Sequence, residues 1–312
     1  MPNSFKNQTI TTTKRETKMK KTLLALLSAV LLITVTQPAQ AQDQKVLAII
    51  DTAIDSKNFS SIIYEVCFSQ NLSCPNKTNF MEGPGSASAV VWPKSLNDGT
   101  YHGDWMTKAA LKADPSVKIV FIRYSNVTDS GSSANRPESL VAAIDWVSKN
   151  SDKYSIDALS ISQAAVDTGN LSRCNTSSPN FDKVTTGAVS SLNAKNVPVF
   201  VATGNQALSD VVGWPACTPG AIGVGALNKA KNGFEKATNG QSQLNPGIDI
   251  ATFGAFEIQK GTTAGTFPLA GTSGATVVSA ATYLKNNTYK TFQEYMSALP
   301  KITINTVSYS SN

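Results

Sequence analysis

Hydrophobic residues along this 312-residue chain fall into short unbroken runs, separated by segments with helical spacing. Lys45 to Ile50, Val117 to Arg123, Ile156 to Ser160, Val197 to Ala202 and Ala221 to Ala226 are mostly rich in Val, Ile and Phe with little polar alternation. That pattern predicts strands buried on both faces. Arg136 to Lys149 and Phe181 to Lys195 repeat apolar residues every three or four positions, which predicts surface helices. Shorter helices are predicted at Trp105 to Lys112, Ala275 to Leu284 and Phe292 to Leu299. The order implies an α/β three-layer domain with a mostly parallel sheet and crossover helices. Ser125 to Asn135, Asn170 to Asn180 and Asn228 to Pro246 are polar and read as loops, none long enough to form a further domain.

The start of the chain follows another logic. Met19-Lys20-Lys21 is a positive start, Leu23 to Val35 is an apolar run, and Ala39-Gln40-Ala41 has the small-x-small form of a signal-peptidase site. The run spans about 13 positions, short of the ~20 that cross a bilayer, so a cleaved signal over 19–41 is expected rather than an anchor. Residues 1–18 read as a misassigned upstream start, and 42–312 as one domain, secreted or periplasmic.

Removal of that leader changes the electrostatics. Six of the 27 basic residues but one of the 21 acidic ones lie in positions 1–41, so the remainder carries 21 against 20 and a net charge of +1 instead of +6. No global charge then favours nucleic acid or an anionic membrane. Cys67, Cys74, Cys174 and Cys217 all lie beyond the leader, an even number in an exported chain that favours disulfides. Cys67 with Cys74 would close a small loop and leave Cys174 with Cys217, but three pairings are open. Metal binding by these cysteines is disfavoured, since there is no C-x-x-C and one histidine in the whole chain.

That histidine, His102, stands in YHGDW. Any imidazole chemistry must use it, and imidazole is the usual general base near neutral pH. Asp51 directly follows an apolar run in AIIDTAID, Asn205 follows another in FVATGN, and Ser273 lies in LAGTSGATVV, where a Gly-rich turn enters a helical pattern. Functional groups gather at such strand exits in parallel sheets. Singly, each would equally suit a turn or a helix cap.

Together, in the order Asp, His, Asn, Ser, they resemble the subtilisin-like serine peptidases. DTAID at 51–55 is similar to the family's DTGID, HGD at 102–104 to HGT, ATGN at 202–205 to AAGN, and GTSGA at 271–275 to GTSMA. The resemblance spans nearly all of residues 45–300. It implies a subtilisin-like fold in which Ser273 is the nucleophile, His102 the general base, Asp51 the carboxylate that orients it, and Asn205 an oxyanion donor beside the Ser273 backbone N–H. It further implies that Ser160, Ile161 and Ser162 pair with a protein or peptide substrate. Side chains over Ser162-Gln163-Ala164-Ala165 would favour small or medium apolar residues at the cleaved bond. Calcium is common in the family, but no ligands are assignable here; no other cofactor is expected, and nothing fixes an oligomeric state.

Ala53, Lys108, Gly274 and Val277 depart from the family pattern, and Lys108 would require local rearrangement on the histidine helix. Only Gln42 to Gln44 separate the expected cleavage site from the first strand, which leaves no room for an inhibitory propeptide. These departures motivate an alternative, a catalytically inactive peptide-binding protein of the same fold. A serine esterase is disfavoured by the chain order and by the lack of a G-x-S-x-G elbow.

Overall fold

The apolar runs pair into one ten-stranded sheet in a computed structural model. It describes residues 44–70, 72–89, 102–124, 126–127, 133–134, 137–164, 179–205, 212–228, 236–237, 240–241, 249–253, 256–259, 266–269, 271–286, 288–304 and 307–311. The leader at 1–41 and most of the 170–180 stretch fall outside them.

In chain order the strands are β1 (Val46–Asp51), β2 (Ile62–Phe68), β3 (Phe80–Glu82), β4 (Lys118–Arg123), β5 (Ile156–Ile161), β6 (Val199–Ala202), β7 (Ile222–Leu227), β8 (Ile250–Phe253), β9 (Lys301–Ile304) and β10 (Val307–Ser311). Their spatial order is β9-β10-β8-β7-β6-β5-β1-β4-β2-β3. The edge strands β3 and β9 run antiparallel to their neighbours, and every other neighbouring pair is parallel. The helices are α1 (His102–Ala113), α2 (Pro137–Asn150), α3 (Pro179–Ala194), α4 (Thr272–Lys285) and α5 (Phe292–Ala298).

Strand β1 shows why its sequence lacks alternation. Ala48 and Ile50 enter the core that contains Leu140, Ile144 and Val147 of α2 and Leu192 of α3. Leu47 and Ile49 enter the opposite core with Met106 and Ala110 of α1 and Ala275, Val277 and Ala281 of α4. Both faces are therefore dry, and each such Leu or Ile contributes about 1.5–3 kcal/mol by leaving water. Val277, which stands where the related pattern has proline, is fully buried in that second core.

The chain crosses from β1 to β2 and β4 on one side and later to β5 on the other, so the sheet order reverses at β1. The carboxyl ends of β1 and β5 flank that reversal, the position at which doubly wound sheets carry their ligands. Two regions read as loops contain short antiparallel ladders, Asn126–Val127 with Ser133–Ala134 and Lys236–Ala237 with Gly240–Gln241. Cys67 and Cys74 are joined in a disulfide. Cys217 is also disulfide-bonded, and Cys174, the remaining cysteine of the sequence, lies outside the described residues. No helix among those residues is long and apolar enough to cross a membrane.

Candidate active site

Asp51 is the last residue of β1 and is fully buried. It follows the Leu47–Ile49 alternation, so its side chain is on the α1 and α4 side of the sheet. Its Oδ1 accepts the Thr52 backbone N–H at 2.6 Å and lies 2.7 Å from Nδ1 of His102. His102 opens α1 with its side chain 27% exposed. The ring therefore bridges a dry carboxylate and the solvent.

The sequence around His102 explains how it arrives there. The Gly103 N–H donates to Thr52 Oγ1 at 3.0 Å, and Asp104, itself buried, accepts the Asp55 N–H at 3.1 Å. These bonds fasten the first turn of α1 to the segment that leaves β1. A Cβ on Gly103 would lie 2.6 Å from both the Ala53 carbonyl oxygen and Cζ of Phe121, so glycine is what permits the close approach. Lys108 is partly exposed between buried Thr107 and Ala109.

Two influences act on the imidazole. Burial pushes its pKa down, but the Asp51 charge and hydrogen bond together outweigh burial and hold the His102 pKa above the ordinary histidine value. With Nδ1 donating to the carboxylate, Nε2 of the neutral ring carries the lone pair that accepts a proton.

Ser273 is the second residue of α4 and is partly exposed between buried Thr272 and Gly274. Helices α1 and α4 pack together, so His102 and Ser273 both stand in the first turns of contacting helices. The Ser273 hydroxyl donates to the Ser162 carbonyl at 3.0 Å, and the Ser162 hydroxyl donates back to the Ser273 carbonyl at 3.1 Å. Among the described residues, no hydrogen bond joins Ser273 to the His102 ring.

Asn205 follows β6 and is tied to the same helix entry. Its Oδ1 accepts the Thr272 N–H at 3.0 Å and the Thr272 hydroxyl at 3.2 Å, while that hydroxyl accepts the Gly204 N–H at 3.3 Å. Fixing Oδ1 in this way assigns Nδ2 as the donor arm of the carboxamide. Gly271, at φ 110°, makes room, since a Cβ there would meet Asn205 Oδ1 at 2.9 Å. Thr272 stands within GTSGA, but its part as a strap rests on a contact between residues 67 apart, which local sequence does not display.

The substrate-pairing segment requires correction. Ser160 and Ile161 are fully buried inside the sheet, and each is paired with β1 on one side and β6 on the other. Neither has a backbone edge left for a peptide. Ser162, just past the strand end, is the first of the three outside that pairing; it is buried and is followed by partly exposed Gln163 and Ala164, and Ala165 lies outside the described residues. No cluster of three or more histidine, cysteine, aspartate or glutamate side chains suited to a metal is found among the described residues, so no residue is assigned to calcium.

A carboxylate–imidazole pair, a hydroxyl at a helix N-terminus and a fixed amide donor thus share one rim. Each element has a place in acyl transfer: a base, a nucleophile and an anion site. No protein-family model matches the chain, and no curated protein sequence does. Solved structures do match. A lanthipeptide protease aligns with TM-score 0.58 and 14% identity over 82% of this chain and 78% of its own. The prenylagaramide maturation protease PagA gives 0.53 and 17% over 82% and 81%. A cold-adapted subtilisin-like serine proteinase gives 0.53 and 19% over 81% and 80%. At these identities the likeness establishes architecture, and the chain has a subtilisin-like fold.

Proposed function

We propose that the chain is an exported serine endopeptidase that cleaves protein or peptide substrates through an acyl-enzyme on Ser273. The observation that carries this reading is the 2.7 Å contact between buried Asp51 and the sole histidine, at the carboxyl rim beside the Ser273 helix. In the mechanism, the Ser273 hydroxyl turns from the Ser162 carbonyl toward His102 and its oxygen attacks the substrate carbonyl carbon. Nε2 takes the hydroxyl proton, and Asp51 stabilises the imidazolium. The carbonyl oxygen becomes an anion between Asn205 Nδ2 and the Ser273 backbone N–H, where the positive end of the α4 dipole adds to the attraction. His102 then passes its proton to the leaving amine nitrogen as the C–N bond breaks. Water repeats the sequence in reverse and releases the acid.

The test is a fluorophosphonate probe on the folded chain with casein or peptide cleavage read in parallel. Wild type is expected to label and to cleave, and Ser273→Ala to do neither. Labelling without peptide hydrolysis would favour an esterase. A folded wild type that does not label would favour the peptide-binding alternative, to which the parked Ser273 hydroxyl lends weight. Sequencing the exported protein is expected to give Gln42 at its N-terminus, and a start elsewhere would refute cleavage after Ala41.

Asn205→Ala removes one oxyanion donor and is expected to lower kcat by roughly 10²–10³ with little change in KM. Steady-state kinetics on titrated enzyme check it; a change confined to KM would assign Asn205 to ground-state binding.

A further inference from the structure

Ser162 stands at a mechanical boundary. The residues before it are clamped on both sides, Ile161 by Ile50 of β1 and Val201 of β6, so the position of Ser162 is set by the centre of the sheet. The α4 entry follows Gly271, which has φ 110°, a conformation open to glycine because it has no Cβ. Two reciprocal hydrogen bonds, at 3.0 and 3.1 Å, join these parts. They close a ring through both serine side chains and both carbonyls, which fixes χ1 of each. Ser162 is 1% exposed, so water does not compete effectively for its hydroxyl. The Ser273 carbonyl has two lone pairs, and accepting from Ser162 leaves one for the helix.

We propose that Ser162 is a positioning residue for the nucleophile, its hydroxyl holding the Ser273 backbone to the sheet while its carbonyl parks the Ser273 hydroxyl until it turns to His102. This rests on the reading of Ser273 as the nucleophile. The two bonds play different parts. The bond to the carbonyl of Ser162 breaks in every turnover. The bond from the hydroxyl of Ser162 persists, and it keeps Ser273 Oγ and the Ser273 N–H at fixed places as charge develops.

A serine that merely stabilised the loop would change the melting temperature and the fraction of competent enzyme, without changing turnover per titrated site. A positioning serine changes turnover itself. The experiment compares wild type, Ser162→Ala and Ser162→Thr by thermal unfolding, fluorophosphonate titration of active sites, and kcat and KM on one peptide. Ser162→Ala is expected to lower kcat per titrated site about tenfold, with KM within about twofold. Ser162→Thr, which retains a hydroxyl, is expected to return kcat to within about threefold of wild type. A wild-type kcat in Ser162→Ala overturns the proposal, as does an equal loss in a folded Ser162→Thr. The alanine variant decides the matter by itself if threonine does not fold. A wild type that neither labels nor turns over refutes the peptidase reading and this proposal together, whereas failure of the proposal alone leaves a labelled, active wild type.

Discussion

Asp51→Asn should reduce kcat by about four orders of magnitude, the loss typical of triads deprived of their carboxylate, while the acid limb of the pH profile moves to lower pH. Both effects follow from one side chain. Asp51 Oδ1 receives the Thr52 N–H and the His102 ring, and an asparagine whose oxygen takes that position keeps both partners. Its nitrogen then occupies the place of Oδ2, which is buried and has no hydrogen-bond partner. The variant gains an unsatisfied donor and loses the negative charge. In wild type, burial lowers the His102 pKa and the Asp51 charge and hydrogen bond raise it by more. On the proposed reading the neutral ring is the base, so the wild-type acid limb should lie above the ordinary 6.5. Without the charge, burial dominates and the limb falls. Profiles of kcat/KM for both enzymes test this, and a limb unmoved by Asp51→Asn would mean that the limb does not report His102.

Much of the candidate site is legible in the sequence, while some of its neighbours are not. Asp51 and Asn205 sit where apolar runs stop, and Ser273 where a Gly-rich turn becomes a helix; those boundaries are written in residue type. The end of β5 is less plainly marked. Ser160 and Ser162 are both polar, and alternation along a strand cannot tell which one leaves the sheet. Only pairing to β1 and β6 places the exit after Ile161.

Strand β2 was invisible for a different reason. Tyr64 and Glu65 interrupt its apolar run, so the pattern does not mark a strand there. Glu65 is nevertheless buried, and its carboxylate accepts the Gly85 N–H at 2.9 Å and the Ala87 N–H at 3.2 Å. A charge inside a strand is here the anchor of a loop twenty residues away in the chain. The Ala87 carbonyl in turn accepts the Ile54 N–H at 3.2 Å, so that loop braces the segment leaving Asp51. Pattern reading penalises such a residue because it scores burial by polarity and cannot see the two backbone donors that satisfy it.

Gly103→Ala should destabilise the fold and slow turnover together. The same exchange at Gly187 should stabilise the fold instead. In an exposed helix, alanine is favoured over glycine by about 0.5–1 kcal/mol, because glycine loses more backbone freedom on folding. Gly187 in α3 has no atom within 4 Å of an added Cβ, so Gly187→Ala should realise that gain. At Gly103 the new Cβ would lie 2.6 Å from two atoms. One is the Ala53 backbone oxygen, and the other belongs to Phe121, which is fully buried in β4. Neither is the free end of a flexible side chain. Helix α1 must therefore move away by roughly an ångström to reach ordinary contact distance. Its bonds to Thr52 and Asp55 lengthen, and the preceding residue, His102, is drawn from Asp51. Overpacking of this kind costs about 2–3 kcal/mol, and a displacement of that size at a catalytic group costs about a hundredfold in rate. Thermal unfolding and kcat per titrated site should show both losses in Gly103→Ala and neither in Gly187→Ala. If Gly103→Ala melted with wild type and kept its turnover, the close seating of α1 on the exit of β1 would not be what holds His102 in place.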